Sequence, residues 1–433
     1  MTRYVLVGSG IAGFSAAETL RTLDPQADIL MVSDDPYGFY SRPGLAYYLT
    51  GEIPEKQLQL FSKKGKLNLE VKQIIARVTN LDPIAHSLKT DRSGTLTYDR
   101  LLLATGASAV NLNIPGENLR GTVKLDNLED IRLILSLVRH TRSAVVVGGG
   151  VVAVELVEGL VALGVKVHYF LRGEWFWPNV LGEAEARMIE RHLAHDEVIL
   201  HHHTEIAEIL GKRDKVIGVR TTKGDVLRCD MVAVGIGVKP NKEVAQAAGL
   251  KTERGILANE FLQTSDPDIF AAGDVAQIFD PRSGHSSIDN LWYPGRKQGR
   301  IAAMNMAGQK QVYKRTVAVN VLLLAGIMTT IIGAIGSGRD DGPAYTTRGS
   351  SETWQQLPNT IATESGTDVS HMRLMVGEQI LLGALVMGDQ TISRPLRDMI
   401  NAQVDITPIK PQLLQSDAQL GQSVMDYWIK TKS

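Results

Sequence analysis

Gly8-Ser9-Gly10-Ile11-Ala12-Gly13 follows the apolar run Tyr4-Val5-Leu6-Val7 and precedes residues 14–23, whose apolar positions recur at helical spacing. That order reads as strand, tight turn and helix. Glycine supplies the turn's backbone angles at Gly8, lets a pyrophosphate approach the main chain at Gly10, and lets the helix pack on the strand at Gly13. The phosphates then rest on the helix N-terminus, where unpaired N–H groups and the macrodipole favour negative charge. Residues 28–33 read as the next strand, and Asp34, about 20 residues beyond Gly13, stands where a carboxylate accepts from ribose hydroxyls.

A second fingerprint, Gly148-Gly149-Gly150-Val151-Val152-Ala153, follows the apolar residues 143–147 and opens a helix to about residue 163. Alanine in the last position is an accepted variant. Residues 165–170 are the second strand of this unit, and they run into Leu171-Arg172 where the first unit has an acid. An acid grips the 2′-hydroxyl of NADH, whereas an arginine accommodates the 2′-phosphate of NADPH. Arg172 also suits a solvated strand end, so the sequence leans towards NADPH and leaves NADH open. Two such sites in one chain imply one cofactor held permanently and another that comes and goes.

Composition narrows the choices. The 433 residues suggest three domains at about 150 residues each. A net charge of −1 leaves no basic excess to neutralise phosphates, so a nucleic-acid partner is not expected. The only cysteine, Cys229, excludes a disulfide framework and a cysteine-based zinc or cluster site. His201-His202-His203 put neighbouring side chains on opposite faces of a strand, and no metal is expected. The N-terminus enters a strand with no signal-peptide layout, so the expected location is cytoplasmic. Residues 317–335 are almost wholly apolar and long enough for a membrane span. Their Asn320, Thr329, Thr330, Gly326 and Gly333, with many β-branched residues, instead favour two buried strands joined through Gly326.

The chain reads as one domain interrupted by another. Leu103-Ala104-Thr105-Gly106 belongs to the first, and Val234-Gly235-Ile236-Gly237 closes the second. Ala271-Ala272-Gly273-Asp274 then ends a strand in a glycine turn with an acid, followed by a helix around residues 298–306 that packs back on the first domain. The expected boundaries are 1–114 with 251–312, 115–250, and 313–433, the last holding a polar surface loop over 338–370. The expected fold is α/β, with two Rossmann-like dinucleotide-binding domains, the second inserted in the first, and a C-terminal α+β domain.

The first fingerprint, Ala104-Thr105-Gly106, the second fingerprint and Ala272-Gly273-Asp274, in that order, resemble the pyridine nucleotide–disulfide oxidoreductases. These are two-dinucleotide-binding-domain flavoproteins, and the resemblance covers essentially the whole chain. It implies FAD on the first domain, held by Gly8, Ser9, Gly10, Ile11, Ala12, Gly13, Asp34, Arg42, Ala104, Thr105, Gly106, Gly273 and Asp274. A ribityl hydroxyl donates well to a carboxylate such as Asp274; the alternative for Asp274 is a helix N-cap. The resemblance further implies NADH or NADPH at Gly148, Gly150, Val151, Val152, Ala153, Arg172, Gly235 and Gly237. Residues 313–433 would form an interface domain of the kind that often makes homodimers.

Tyr40-Ser41-Arg42-Pro43 resembles a segment of rubredoxin reductases, ferredoxin reductases and the flavin part of assimilatory nitrite reductases, and residues 382–389 resemble a strand pair of their interface domain. Ser41 and Arg42 stand where NADH oxidases and coenzyme A disulfide reductases place a redox cysteine. Disulfide chemistry needs a thiolate, so it is excluded. The implied activity passes electrons from NAD(P)H through FAD to a small electron carrier of ferredoxin, rubredoxin or nitrite-reductase type. The alternatives are an NAD(P)H oxidase or quinone reductase, and a binding flavoprotein similar to apoptosis-inducing factor. Tyr47 stands near the point where ferredoxin-reductase relatives carry a lysine that pairs with a glutamate, matched here by Glu155, the candidate catalytic residue. Arg42 or Lys56 could replace that lysine; otherwise Glu155 has an altered, raised proton affinity. Trp175 and Trp177 either flank the adenine or cover a loop, and Trp292 and Tyr293 either shield the flavin or pack.

Overall fold

Short β-rich apolar runs followed by glycine and helical periodicity become parallel strands and crossover helices in this chain. The computed structural model describes residues 1–59, 70–281, 284–336, 348–355, 359–367, 369–415 and 419–432. In chain order the first segment supplies β1 (Arg3–Val7), α1 (Ile11–Leu23), β2 (Asp28–Ser33), β3 (Lys72–Ile75) and β4 (Arg100–Leu103). Next come β5 (Thr122–Lys124), α2 (Leu128–Val138), β6 (Ser143–Val147) and α3 (Val151–Ala162). They lead to β7 (Lys166–Phe170), α4 (Glu183–His195), β8 (Ile199–His201) and β9 (Met231–Val234). The chain returns through β10 (Ile269–Ala271) and α5 (Trp292–Met306). The last segment contributes β11 (Val319–Leu324), β12 (Ile327–Gly333), β13 (Ile361–Gly366), β14 (His371–Val376), β15 (Leu381–Met387) and α6 (Ser393–Ala402).

These elements form two compact units. One comprises Met1–Tyr48, Ile53–Ser108 and Val238–Arg315; the other comprises Leu49–Glu52, Ala109–Gly237 and Thr316–Ser433. The first is built on a sheet of order β10-β4-β1-β2-β3, parallel at every pairing. Val5 and Leu6 are fully buried at its centre, as expected of a strand covered on both faces. A Cβ added to Gly299 of α5 would come 2.1 Å from the Ala12 carbonyl oxygen, so α1 and α5 meet backbone to backbone. That glycine and Gly295 break up the apolar pattern. They hide the first turns of the helix in the sequence: α5 begins at Trp292, ahead of the expected start near residue 298, and Trp292 and Tyr293 are its first two residues.

The second unit repeats the plan with a parallel sheet of order β8-β7-β6-β9-β5. Val154, Leu156, Val157 and Leu160 of α3 are fully buried, which explains why the helix is apolar apart from Glu155 and Glu158. A five-stranded antiparallel sheet of order β11-β12-β15-β14-β13 packs against α6. The fold is thus α/β, with one Rossmann-like domain inserted in another and a C-terminal α+β region. Within the second unit a buried ion pair ties early to late residues. Arg373 of β14 donates Nε to Glu185 of α4 at 2.9 Å and Nη2 to the Val180 carbonyl at 2.7 Å.

Residues 317–335 form the hairpin β11–β12, whose turn residues Ala325 and Gly326 both have positive φ, 49° and 75°. That is the left-handed geometry of a tight two-residue hairpin. Ile331 and Ile332 are fully buried, while Val321 is half exposed, so the second strand is buried except at Met328 and the first is only partly buried. Among the described residues no helix is long and apolar enough to cross a membrane. The expected surface loop over 338–370 needs correction. Residues 361–366 pair with β14 as the edge strand β13, and their polar composition reflects a strand with one solvent-facing side. Residues 338–347, 356–358 and 368 of that expected loop lie outside the described ones.

Candidate functional site

In each parallel sheet the strand that runs into the glycine fingerprint, β1 in the first unit and β6 in the second, lies at the centre, between neighbours whose connections leave in opposite directions. The crevice at the C-terminal ends of two such strands is the binding point of open α/β sheets. In the first unit it lies between β1 and β4. Gly8 follows β1 with φ +114°, and a Cβ there would come 2.0 Å from the Ala104 carbonyl oxygen. A Cβ on Gly13 would come 2.0 Å from the Gly8 carbonyl oxygen. These two glycines are therefore demanded by packing. Gly10 differs, because its Cβ would meet only Arg42 Nη1, at 3.5 Å. Gly10 is also the N-cap of α1 and has no side chain with which to cap it, so the first-turn N–H groups at Ile11 and Ala12 are available to an anion.

Further residues converge on this turn. Ser9 is buried and donates its hydroxyl to Ser33 Oγ at 3.1 Å. Thr105 donates Oγ1 to the Asn241 carbonyl at 2.7 Å, and Asn241 returns Nδ2 to the Thr105 carbonyl at 2.9 Å and its backbone N–H to Gly106 at 2.9 Å. Gly273, with φ +81°, lies so near α1 that its Cβ would come 3.1 Å from Ala12 Cβ. Its N–H is received by the buried Gln298 side chain at 2.7 Å. Asp274 sits in the turn that leads into the strand Ala276–Asp280, so the helix N-cap alternative falls. Asn241 and Gln298 were not among the expected site residues. Only their contacts across long stretches of chain reveal them.

The two acids after β2 divide their work. Asp34 is exposed and pairs with Arg77 at 2.9 Å. Asp35 accepts from Tyr40 Oη at 3.0 Å and from Arg42 Nη2 at 3.2 Å. Burial raises its proton affinity, against the pull of Arg42. Asp35 thus fixes Arg42 beside the open side of Gly10, a role the sequence did not disclose.

The second crevice, between β6 and β9, is built alike. Gly148 has φ +142°, and its Cβ would come 2.2 Å from the Gly235 carbonyl oxygen and 3.0 Å from Ala153 Cβ. A Cβ on Gly235 would come 2.8 Å from the Ala153 backbone nitrogen. Alanine is tolerated at Ala153 because both facing residues lack side chains. Gly149 faces nothing within 4 Å, and Gly150 is the uncapped N-cap of α3. Val151 and Ala153 are buried and Val152 is half-buried, while Gly237 follows β9 with φ +121°. Arg172 is exposed just beyond the end of β7. Both crevices therefore combine tightly packed glycines with one open glycine and a bare helix N-terminus. That is a fit for the pyrophosphate of FAD in the first and of NAD(P)H in the second.

Trp175 and Trp177 are buried, and Trp175 donates Nε1 to the Leu181 carbonyl at 3.3 Å, so they cover a loop. His201 meets His168 at 3.0 Å and His202 meets Glu190 at 3.2 Å. Among the described residues no group of three or more His, Cys, Asp or Glu could hold a metal. Cys229 is buried in the core beside Val145, Phe170 and Val232. Burial, with Asp230 beside it, pushes the thiol up to about 12, so it is no nucleophile at neutral pH.

Glu155 lies on α3, beyond the open turn. Burial first, then the charge of Glu158, pushes its carboxyl up to about 8, with Arg348 acting in the opposite direction. Within this unit the cation acting on Glu155 is therefore Arg348, which was not among the expected replacements Arg42 and Lys56. Burial also pushes Glu158 up to about 7, although it accepts from the backbone of Gly326 and Ala325 in the β11–β12 turn.

Comparison with known proteins agrees with this architecture. The family described as pyridine nucleotide-disulphide oxidoreductase matches residues 2–309. The assimilatory nitrate reductase electron transfer subunit of Bacillus subtilis (strain 168) is 27% identical over 421 residues, 96% of this chain and 51% of that protein. The chain spans about half the length of the Bacillus subtilis relatives it matches. The ferredoxin–NAD(+) reductase component of the biphenyl dioxygenase system of Paraburkholderia xenovorans (strain LB400) is 32% identical over 306 residues, 70% of this chain and 74% of that one. The covalent putidaredoxin reductase–putidaredoxin complex contains a chain of the same fold, with a TM-score of 0.85, 22% identity and 99% of each chain covered.

Proposed function

This chain belongs to the pyridine nucleotide-disulphide oxidoreductase family, and from that premise we propose that it is an FAD-dependent NAD(P)H oxidoreductase serving a small electron-carrier protein. The observation that carries the reading is the pair of glycine turns at the two switch points, each with one open glycine before an uncapped helix. FAD, when bound, supplies the chemistry that turns a two-electron hydride donor into a source of single electrons. Residues 1–114 with 251–312 hold FAD. Gly8 to Gly13 and Arg42 receive the pyrophosphate, Asp34 the ribose, Ala104 to Gly106 and Gly273 line the close approach, and Asp274 takes the ribityl chain.

Residues 115–250 dock NAD(P)H through Gly148, Gly150, Val151, Val152, Ala153, Gly235 and Gly237. Arg172 is placed to meet a 2′-phosphate, and Glu155 lies on the helix that starts at this cradle. Residues 313–433 supply an interface between two copies in the cytoplasm, which sedimentation of the purified protein and cell fractionation check. The names of the relatives support a ferredoxin- or rubredoxin-like acceptor. The buried Cys229 offers no thiol route around the flavin.

Stopped-flow reduction by NADH and by NADPH, followed by reoxidation with oxygen, a quinone and a small ferredoxin, tests the proposal. Reoxidation is expected to be fastest with the ferredoxin. Fast reoxidation by oxygen or quinone alone overturns the carrier reading in favour of an oxidase or quinone reductase. Slow reoxidation by all three points to a binding flavoprotein.

A further inference from the structure

The loop between β7 and α4, residues 171–182, leaves the sheet at the C-terminal edge of its parallel strands, where ligands of such sheets bind, and Arg172 is its second residue. Halfway along, the buried Phe176 donates its backbone N–H to Glu190 Oε1 at 2.8 Å. Glu190 stands on α4 and is itself 4% exposed. Arg187, one turn before it, donates Nη1 to Glu190 Oε2 at 2.6 Å, and His202 Nε2 lies 3.2 Å from Oε1. His202 belongs to the exit from β8, which is stitched to the start of the same loop. Leu171 donates its N–H to the His201 carbonyl at 2.9 Å, and Thr204 donates to the Leu171 carbonyl at 3.1 Å. One carboxylate thus joins the loop, α4 and the exit of β8.

The path that Glu190 holds is an unfavourable one. Trp177, the next residue after Phe176, adopts φ 51°, a left-handed backbone that bulky residues avoid. Its indole Nε1 is buried with no hydrogen-bond partner among the described residues. Its carbonyl receives the Val180 N–H at 3.1 Å and the Leu181 N–H at 2.9 Å, so the chain turns sharply there. Residues strained in this way persist where their surroundings over-determine them, and they gather at ligand clamps. A buried carboxylate is a costly anchor for one backbone amide, because its charge has to be balanced, here by Arg187. In return, a hydrogen bond to a carboxylate is stronger than one to a neutral acceptor. Packing alone needs no such anchor; a loop that has to keep one path does.

We propose that Glu190 is a positioning residue for the nucleotide: by holding the Phe176 N–H it fixes the path of residues 171–182, and with it the placement of Arg172 at the end of β7, where the adenosine ribose is read. This rests on the docking of NAD(P)H at the second crevice proposed above. Glu190 touches no nucleotide in this role; it acts through the loop.

The test compares Glu190→Asp with Glu190→Gln in the flavin-loaded full chain. Aspartate keeps the charge that Arg187 and His202 meet but is one methylene too short for the Phe176 N–H. Glutamine keeps the reach and an acceptor oxygen but loses the charge. Glu190→Asp is expected to raise KM for NADH and NADPH about tenfold, the loss of one hydrogen bond to a charged group. It is expected to leave kcat with a small ferredoxin unchanged and to speed hydrogen exchange of residues 171–182. Glu190→Gln is expected to lie closer to the wild type on KM and on exchange. An ion pair that serves stability alone predicts the reverse order, with Glu190→Gln the more damaged, and that order overturns the proposal. So does a KM that stays put while loop exchange rises, or loop exchange that does not change. If Glu190→Asp does not fold, the wild type decides: under anaerobic conditions saturating NADH or NADPH is expected to slow exchange across residues 171–182, and an unchanged rate overturns the proposal. Affinity for both nucleotides that survives Gly149→Ala instead removes the docking reading, and this inference with it.

Discussion

At the scale of single residues, the glycines of the two fingerprints are not interchangeable. Gly148→Ala would place a methyl group 2.2 Å from the Gly235 carbonyl in a backbone held at φ +142°. The strain of such a conformation is about 1–3 kcal/mol, so a urea-midpoint comparison is expected to show a loss of that order or more. Gly149→Ala faces open space and is expected to keep stability but weaken nucleotide affinity, read by titration with NADH and NADPH. Glu155 adds a pH-dependent term. Burial raises its pKa from 4.5 to about 8, so across that window the folded state binds more protons than the unfolded one. Stability then falls as pH rises from about 4.5 to about 8 and levels off above it. Urea midpoints from pH 5 to 9 are expected to show the wild type losing ground against Glu155→Gln within the window and running parallel above it.

At the scale of elements, periodicity and glycine spacing disclosed the βαβ units but little of what joins them. The strands around both fingerprints and the hairpin at residues 317–335 were legible because their apolar runs are continuous and their turns carry glycine. The start of α5 was hidden, since Gly295 and Gly299 serve close packing rather than helix propensity. Gly299→Ala is therefore expected to push α5 off the Ala12 backbone, 2.1 Å from the added methyl, and to lower the flavin-to-protein absorbance ratio after purification. β13 was missed because an edge strand with polar outward residues gives no apolar run. In the β11–β12 turn, Ala325 holds φ 49° without the local side-chain hydrogen bonding that lets asparagine favour this region. Ala325 is 5% exposed, so glycine, which adopts this φ without adding volume, is the replacement that relieves the strain; Ala325→Gly is expected to raise the melting temperature, corresponding to about 1 kcal/mol.

At the scale of the whole molecule, the ordered motifs were enough to place the chain in its family. The partners that tune its sites were not visible. Asn241, Gln298, Asp35 and Arg348 act across sequence gaps that no local pattern encodes. They become apparent only where side chains from separate segments meet. The chemistry inferred for the molecule is independent of thiols. Cys229 is buried with its thiol raised to about 12, so treatment with iodoacetamide is expected to leave NAD(P)H-dependent acceptor reduction unchanged. A loss of turnover on alkylation, absent in Cys229→Ala, would oppose that reading.

The buried pair of Glu185 and Arg373 bears on modularity. In sequence the C-terminal region looks like a cassette that recombination could trade for another, leaving the nucleotide sheet intact. Covering the nucleotide sheet with a region that lacks this arginine would keep the Glu185 carboxylate, 1% exposed here, buried without the guanidinium that balances it, and loss of one partner of a buried pair costs about 3–5 kcal/mol. A graft of a foreign C-terminal region therefore has to bring an arginine at the equivalent point of its own sheet. The seam along which this chain could be cut and transplanted is electrostatic, and it does not coincide with the gap between its motifs.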